Sequence, residues 1–341
     1  MATLRASYDS VLCADTLEIR NNRIAVGCYE LEKQDESSGA GGMASERRKG
    51  CVWILDKEDL KPRTIWKHES SGVLDLRWSG KTEDLLILAC ADGSVRVLRH
   101  SELALEEKHT LHLENSLTLS VDVNEEAADV VLSFSTGSVR ALDLNTLKPK
   151  WKAEDAHSYE AWVVALDPRH APIAFSGGDD GCLKVWDLRC SADLGPVAVN
   201  SKAHQASGVI SIQPDPLHNE GILTGGYDDH IRFFDMRSLK RSTEPPIQLE
   251  GSPWRIKYHP EDPRYILLPA MYAGAYLLRR DDARNGGNQI CHYRGHQSIA
   301  YGACWMDSTV DPLSVATCSF YDHAVHVWST ENRASLDKAS P

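Results

Sequence analysis

Along this chain, short apolar runs alternate with polar turns, and no stretch carries the spacing of an amphipathic helix. Typical runs are WVVALD, PIAFSGG and LKVWDL, rich in β-branched and aromatic residues and set off by the turn sequences DPRHA and DDG. Such runs predict strands. One of them recurs: an apolar strand that closes on an aromatic residue or leucine, followed by a polar or charged residue. It reads KVWD at Trp186, RFFD at Phe234 and VHVWS at Trp328, with weaker copies at Leu55, Leu98, Leu142 and Leu278. Successive anchors lie 43 to 50 residues apart. A period of this length marks a repeat architecture.

A second register supports the first. A histidine precedes most anchors by about 30 residues: His68, His112, His157, His204 and His296. An aspartate often stands six residues before the anchor, as Asp92, Asp180, Asp228 and Asp322. Together these are the His, Asp and Trp-Asp positions of a WD repeat, which folds as four short strands. The expectation is an all-β protein, a seven-bladed WD-repeat β-propeller formed as one domain by residues 1–341. Residues 2–7 should close the ring as the outer strand of the last blade, so that few sheet edges stay open. One segment breaks the period: KQDESSGAGGMASERRKG, residues 33–50, falls between two strands of blade one. Its polar, Gly/Ser-rich composition predicts a disordered loop.

Composition narrows the function classes. Of 341 residues, 42% are hydrophobic and 25% charged, the balance of a globular protein. No apolar run approaches the roughly 20 residues of a membrane helix, and the opening MATLRASYDSV lacks the apolar core of a signal peptide. The nine cysteines are odd in number, scattered and never in a CxxC pair, so neither a disulfide framework nor a zinc site is expected. These features fit a cytoplasmic monomer. The net charge of −12 argues against nucleic acid and anionic membranes as partners and favours a basic partner. The chain has no GxSxG elbow, HExxH or P-loop, and the GAGG at 39–42 lies in the polar insertion. A Rossmann-like methyltransferase domain does not fit the repeat, and no cofactor or metal is suggested by spacing.

Removing the scaffold positions exposes candidates for function. The pairs His157 with Asp180, His204 with Asp228 and His296 with Asp322 fit the structural histidine–aspartate bond of the repeat. Beside those aspartates stand Asp179, Tyr227 and Tyr321 on one side, and Gly181, Asp229 and His323 on the other. At the entry to the innermost strands, Trp162 and Trp254 hold equivalent places, with Glu160, Arg255 and Tyr301 nearby. Both kinds of loop open on one face of a propeller, so these residues should ring one mouth of the channel. The plain reading of the ring is a protein-docking surface, since Trp, Tyr and Arg anchor interfaces. The sharper reading is an aromatic cage of Trp162, Trp254, Tyr227 and Tyr321 for a quaternary ammonium group. Glu160, Asp179 and Asp229 would add negative charge, and His323, outside the scaffold register, would act as general base.

The segments HSYEAWVVAL (157–166), SGGDDGCLKVWDLR (176–189), GGYDDHIRFFDMR (225–237), SPWRIKYHP (252–260), IAYGACW (299–305) and ATCSFYDHAVHVW (316–328) resemble the diphthine methylesterase family. These are WD-repeat proteins of the diphthamide pathway. The likeness covers blades four to seven, about half of the chain. It implies hydrolysis of the methyl ester of methylated diphthine, a modified histidine of translation elongation factor 2, before amidation to diphthamide. The substrate's trimethylammonium group suits an aromatic and acidic cage, and ester hydrolysis needs an activated water or nucleophile with donors for the oxyanion. On this reading the base is His323 with Asp229 or Tyr321, or else Glu160 or Asp179. Arg255 and Tyr301 would polarise the carbonyl, and Ser207 is a weaker candidate nucleophile. The competing expectation is a non-catalytic adaptor: WDLR (186–189) and FDMR (234–237) resemble the box by which some propellers dock onto a ubiquitin-ligase adaptor.

Overall fold

The apolar runs form strands whose two faces are both covered. In the second strand of blade three, Asp129–Phe134, every residue is buried, whereas the outer strand of blade two, Leu105–His112, is largely exposed beyond Leu105. The difference follows radial position. Inner strands lie between neighbouring blades and read as continuous apolar runs, while outer strands face water. The computed structural model describes residues 2–32, 47–80, 84–205, 207–280 and 288–331. These residues form seven four-stranded antiparallel sheets. Six of them take four consecutive strands each. Blade one, for example, runs Cys13–Arg20, Arg23–Leu31, Arg48–Asp56 and Pro62–His68. The seven-bladed all-β propeller expected from the repeat is the fold. The helical content among the described residues is one 3-10 turn, Ala192–Leu194, and no helix there is long and apolar enough to cross a membrane.

The last blade joins the two ends of the chain. Its strands Ala300–Trp305, Ser314–Ser319 and Ala324–Thr330 are completed by Ala2–Asp9, which pairs antiparallel with Ala324–Thr330. The closing strand therefore runs two residues beyond the 2–7 expected. Closure removes the edge that Ala324–Thr330 would otherwise present.

All seven repeat anchors are buried, from Leu55 and Leu98 to Trp328. The cores lie between blades: Val52, Ile54 and Trp66 of blade one pack with Val73, Leu76 and Leu86 of blade two. In blade four the anchor heads a hydrogen-bonded relay. Trp186 Nε1 donates to Ser176 Oγ at 2.9 Å, Ser176 Oγ meets His157 Nε2 at 2.7 Å, and His157 Nδ1 meets Asp180 Oδ1 at 2.9 Å. Burial pushes the His157 pKa down, so the ring is neutral and donates from Nδ1. Burial of Asp180 opposes its ionisation, but the hydrogen bond from His157 outweighs this and holds the carboxyl well below the usual range.

Blade five repeats the pair, with His204 Nδ1 2.8 Å from Asp228 Oδ1. The third expected pair differs. His296 Nδ1 meets Ser319 Oγ at 2.8 Å, and Ser319 in turn donates to Asp322. The serine sits between the two, so the histidine–aspartate contact is indirect. In blade two Asp92 is taken instead by Arg96, at 2.7 Å, and His68 accepts from the Ser70 N–H. Of the polar insertion at 33–50, Arg48–Gly50 begin the third strand of blade one, Arg47 is a short lead-in, and 33–46 lie outside the described residues.

Candidate functional site

The innermost strands do not run straight into the channel. Pairing between the first and second strands skips Asp15 in blade one, Leu74 in blade two, Leu119 in blade three, Ile210 in blade five, and Tyr301 with Gly302 in blade seven. A bulge of this kind re-aims a side chain. The five side-chain-bearing residues Asp15, Leu74, Leu119, Ile210 and Tyr301 all line one cavity of about 240 Å3 at the mouth of the channel. Blades four and six add Trp162, Trp254 and Arg255 from the loops just before their inner strands.

Four aromatic rings form one wall. Trp162 and Trp254 meet edge-on with centroids 5.9 Å apart, Trp162 and Tyr227 at 6.3 Å, Tyr227 and Trp254 at 6.4 Å, and Trp254 and Tyr301 at 4.8 Å. Local contacts hold the wall. Asp179 accepts from Trp162 Nε1 at 3.0 Å, while its own N–H donates to the Glu160 carbonyl at 2.9 Å. Tyr227 N–H donates to Gly208. A Cβ on Gly208 would fall 2.9 Å from the Tyr227 ring and 2.8 Å from the Asp179 carboxylate, so glycine is what lets the three approach. Asp229, at φ +60°, accepts from Ser252 Oγ at 2.7 Å and so braces the loop that carries Trp254. The wall is electronegative as well as aromatic. Burial first, then the charges of Asp179 and Glu160, push the Tyr227 phenol up to about 12.

Opposite the wall the polar groups converge. Both Nη atoms of Arg255 reach across the channel to Asp75 on the inner strand of blade two, at 3.1 and 3.0 Å. Asp75 is fully buried and also accepts from Arg77 at 2.9 Å, from Ser120 Oγ at 3.1 Å and from the Val121 N–H at 3.1 Å. Burial opposes its ionisation, but Arg255 and Arg77 prevail and keep the carboxyl below the usual range. Asp15 differs. It is 5% exposed, and burial raises its pKa to about 8, with Arg255 opposing the rise and Asp75 adding to it. Tyr29 and Arg48 complete this side.

The ring expected from the sequence is therefore partly assembled. Trp162, Tyr227 and Trp254 form the wall, and Arg255 lines the cavity. Tyr301, expected at the carbonyl, instead completes the wall in the place expected for Tyr321. Tyr321 packs edge-on against Phe320 and is 69% exposed on the rim. Glu160, Asp179 and Asp229 stand behind the wall and shape its charge and its loops. His323 is not brought to the cavity. It sits in a turn at φ +54° with Nδ1 3.9 Å from Asp9 of the closing strand, on the outer side of blade seven. Ser207 lies in a turn where its N–H donates to the His204 carbonyl. Arg189 and Arg237 each fold back onto their own strand-end aspartates, Asp187 and Asp235, in paired contacts of 2.6 to 2.9 Å. Sequence reasoning missed Asp15 and Asp75. The available signal was an acid inside an apolar inner-strand run, as in LCADTL and GVLDLRW.

Comparison with known proteins agrees with the fold. The model of the family "WD domain, G-beta repeat" matches residues 152–187. A chain in the crystal structure of the mitotic checkpoint complex superposes with a TM-score of 0.75 at 15% identity, covering 97% of this chain and 92% of that one. The Chaetomium thermophilum Raptor structure gives 0.78 at 12% identity, covering 97% of this chain and 29% of that one. Among curated relatives, the diphthine methyltransferase of Homo sapiens is 33% identical over 88% of this chain and 74% of its own length. That of Saccharomyces cerevisiae is 33% identical over 91% and 93%. The Dictyostelium discoideum homolog is 29% identical over 90% and 93%. On the strength of its seven-bladed ring and these relatives, the chain belongs to the diphthine methyltransferase family of WD-repeat proteins, whose name ties it to diphthamide formation.

Proposed function

We propose that the chain is a carboxylic ester hydrolase that removes the methyl ester from methylated diphthine on translation elongation factor 2, leaving the carboxylate for amidation. The observation that carries this reading is the four-ring wall with its acidic backing. Trp162, Tyr227, Trp254 and Tyr301 offer π faces within one cavity, and Asp179 and Glu160 add a negative field. A quaternary ammonium group is the ligand such a wall suits, because it has no N–H to satisfy and is attracted by ring faces. In methylated diphthine that group lies next to the ester, so caging it delivers the ester to the side bearing Asp15 and Arg255.

The family's name says methyl transfer, and the size of the cavity favours hydrolysis over it. A volume of about 240 Å3 lies below the ~300–1,000 Å3 usual for small-molecule sites. It suits the end of one modified side chain, whereas transfer would need a nucleoside-sized donor beside it. Exposed Tyr159, Tyr272 and Tyr321 stand in loops of the same face and suit the docking of the protein substrate around the mouth.

The test is intact-peptide mass spectrometry of elongation factor 2 carrying methylated diphthine, incubated with the purified protein alone. Loss of one methylene's mass with release of methanol supports the hydrolase. No mass change, on substrate that a known esterase processes, overturns it. The aromatic wall would then be a docking surface of an adaptor.

A further inference from the structure

We infer that Asp15 is the catalytic general base of this cavity, drawing a proton from the water that attacks the ester. The inference rests on the hydrolase reading above and adds the residue that performs it. Three observations carry it, and the first is position. Asp15 occupies the bulge of the inner strand in blade one, where blades two, three and five place Leu74, Leu119 and Ile210. In those three blades the position supplies an apolar side chain to the channel wall. A carboxyl at the same place gives up that contact and bears the cost of desolvation.

The second observation is the company it keeps. Asp75, the other buried acid here, is saturated by Arg255, Arg77, Ser120 and the Val121 N–H. Among the described residues no hydrogen bond holds the Asp15 carboxyl, and the charges that act on it are those of Arg255 and Asp75. Asp75 behaves as a structural hub, and Asp15 as a group left free to exchange a proton. The third observation is placement: Asp15 lines the cavity together with the Trp162–Tyr227–Trp254–Tyr301 wall and Arg255. A substrate whose cation rests on the wall has its ester on the side of Asp15.

The step balances without any added reagent. The Asp15 carboxylate accepts a proton from water, and the water oxygen bonds to the ester carbonyl carbon. The carbonyl electron pair moves onto oxygen to give a tetrahedral oxyanion in the field of Arg255. Collapse breaks the bond to the methoxy oxygen, which takes the proton back from Asp15 and leaves as methanol. The product carboxylic acid then ionises.

The groups facing Asp15 set how it titrates. Tyr29 of the second strand of blade one, Tyr301 and Cys318 of blade seven, and Cys13 of its own strand are neutral at pH 7, all pushed up chiefly by burial. Asp75 is negative and raises Asp15, whereas Arg255 is positive and lowers it. Arg48 lines the same side. The free site therefore holds Asp15 largely protonated, and arrival of the substrate's cation favours the ionised base.

The experiment compares the wild-type protein with Asp15→Asn and Asp15→Leu on methylated elongation factor 2, reading methanol release across pH. Wild type should lose kcat/KM as the pH falls below about 8, with a lower apparent pKa in kcat than in kcat/KM. Asp15→Asn should lose about 10²–10⁴-fold in kcat yet still bind a methylamide analogue of the substrate within about threefold. Asp15→Leu, which restores the residue of Leu74, should fold, melt above wild type and be inactive. An active wild type with an equally active, equally pH-dependent Asp15→Asn overturns the assignment alone. A wild type that releases no methanol overturns the hydrolase reading instead. Single turnover in 18O-labelled water adds a check: label incorporated into the Asp15 carboxyl would show that this carboxylate attacks the ester itself and would overturn its assignment as base.

Discussion

Trp254 stands at the centre of the wall, in contact with Trp162, Tyr227 and Tyr301. A cation over such a ring gains about 2 kcal/mol when desolvated, a factor of about 30. Trp254→Ala should therefore raise KM by about 10–30-fold while kcat changes less, and Trp254→Phe should recover most of the loss. Steady-state kinetics on the methylated substrate checks both variants, and an unchanged KM would remove the wall from cation binding. Trp254 could be found in the sequence because it repeats the place of Trp162, one blade being a template for another. Asp15 could not be found that way. It resembles Leu74, Leu119 and Ile210 only once strand pairing shows that all four are skipped residues. His323 shows the converse. Its place in the turn was correct, but the side chain lies beside Asp9, which comes from the other end of the chain.

Strands are held in their blades by the relay from Trp186 through Ser176 and His157 to Asp180. Ser176 is fully buried and serves two partners, so Ser176→Ala leaves the indole N–H and the imidazole without theirs. A stability loss of about 1–3 kcal/mol is expected, read as a lower denaturant midpoint at constant m-value. Turnover measured on the folded fraction should stay near wild type, because the relay lies outside the cavity lining. The relay follows from the sequence wherever the repeat is complete, as in blade four. Elsewhere substitution reroutes it: Phe234 has no N–H to give in blade five, and Ser319 interposes between His296 and Asp322 in blade seven. A short polar residue on the second strand is enough to change who bonds to whom. Residue type at one position does not reveal such exchanges.

Across the ring the ionisable groups pull stability in opposite directions with pH. His157 and His204, which are buried, and His296, which is half-buried, are neutral, with folded pKa values below the 6.5 of a free histidine, that of His296 at about 3. Their contribution is present above pH 6.5 and is lost as pH falls, because the unfolded chain takes up protons that the folded one refuses. Asp180 and Asp228, held low by their histidines after burial is overcome, add a further loss below the ordinary carboxylate pKa of 3.8. Asp15 has the opposite sign. Its folded pKa is raised, so stability is lost as pH rises from 3.8 toward about 8. Thermal melts from pH 4 to 9 should peak near pH 6.5, and Asp15→Leu should selectively remove the decline on the alkaline side. A wild-type profile that stays flat below pH 6.5 would contradict the neutral state of the histidines.

What the sequence determined by itself was the periodic part: seven blades, their buried anchors, an outer strand of the last blade taken from the first residues of the chain, and the face on which the loops of Trp162, Tyr227 and Trp254 open. Each repeats a local pattern of apolar side chains and turns, and local patterns are written in neighbouring residues. Tertiary structure decided what sits opposite what across the channel. The Arg255–Asp75 clamp joins residues 180 positions apart, Tyr301 rather than Tyr321 closes the wall, and a bulge in blade one turns an acid into the space that blades two, three and five fill with leucine or isoleucine. Those relations depend on ring closure and strand register. Both are fixed by the packing of every blade against the next, and so they are recorded nowhere in any single stretch of chain.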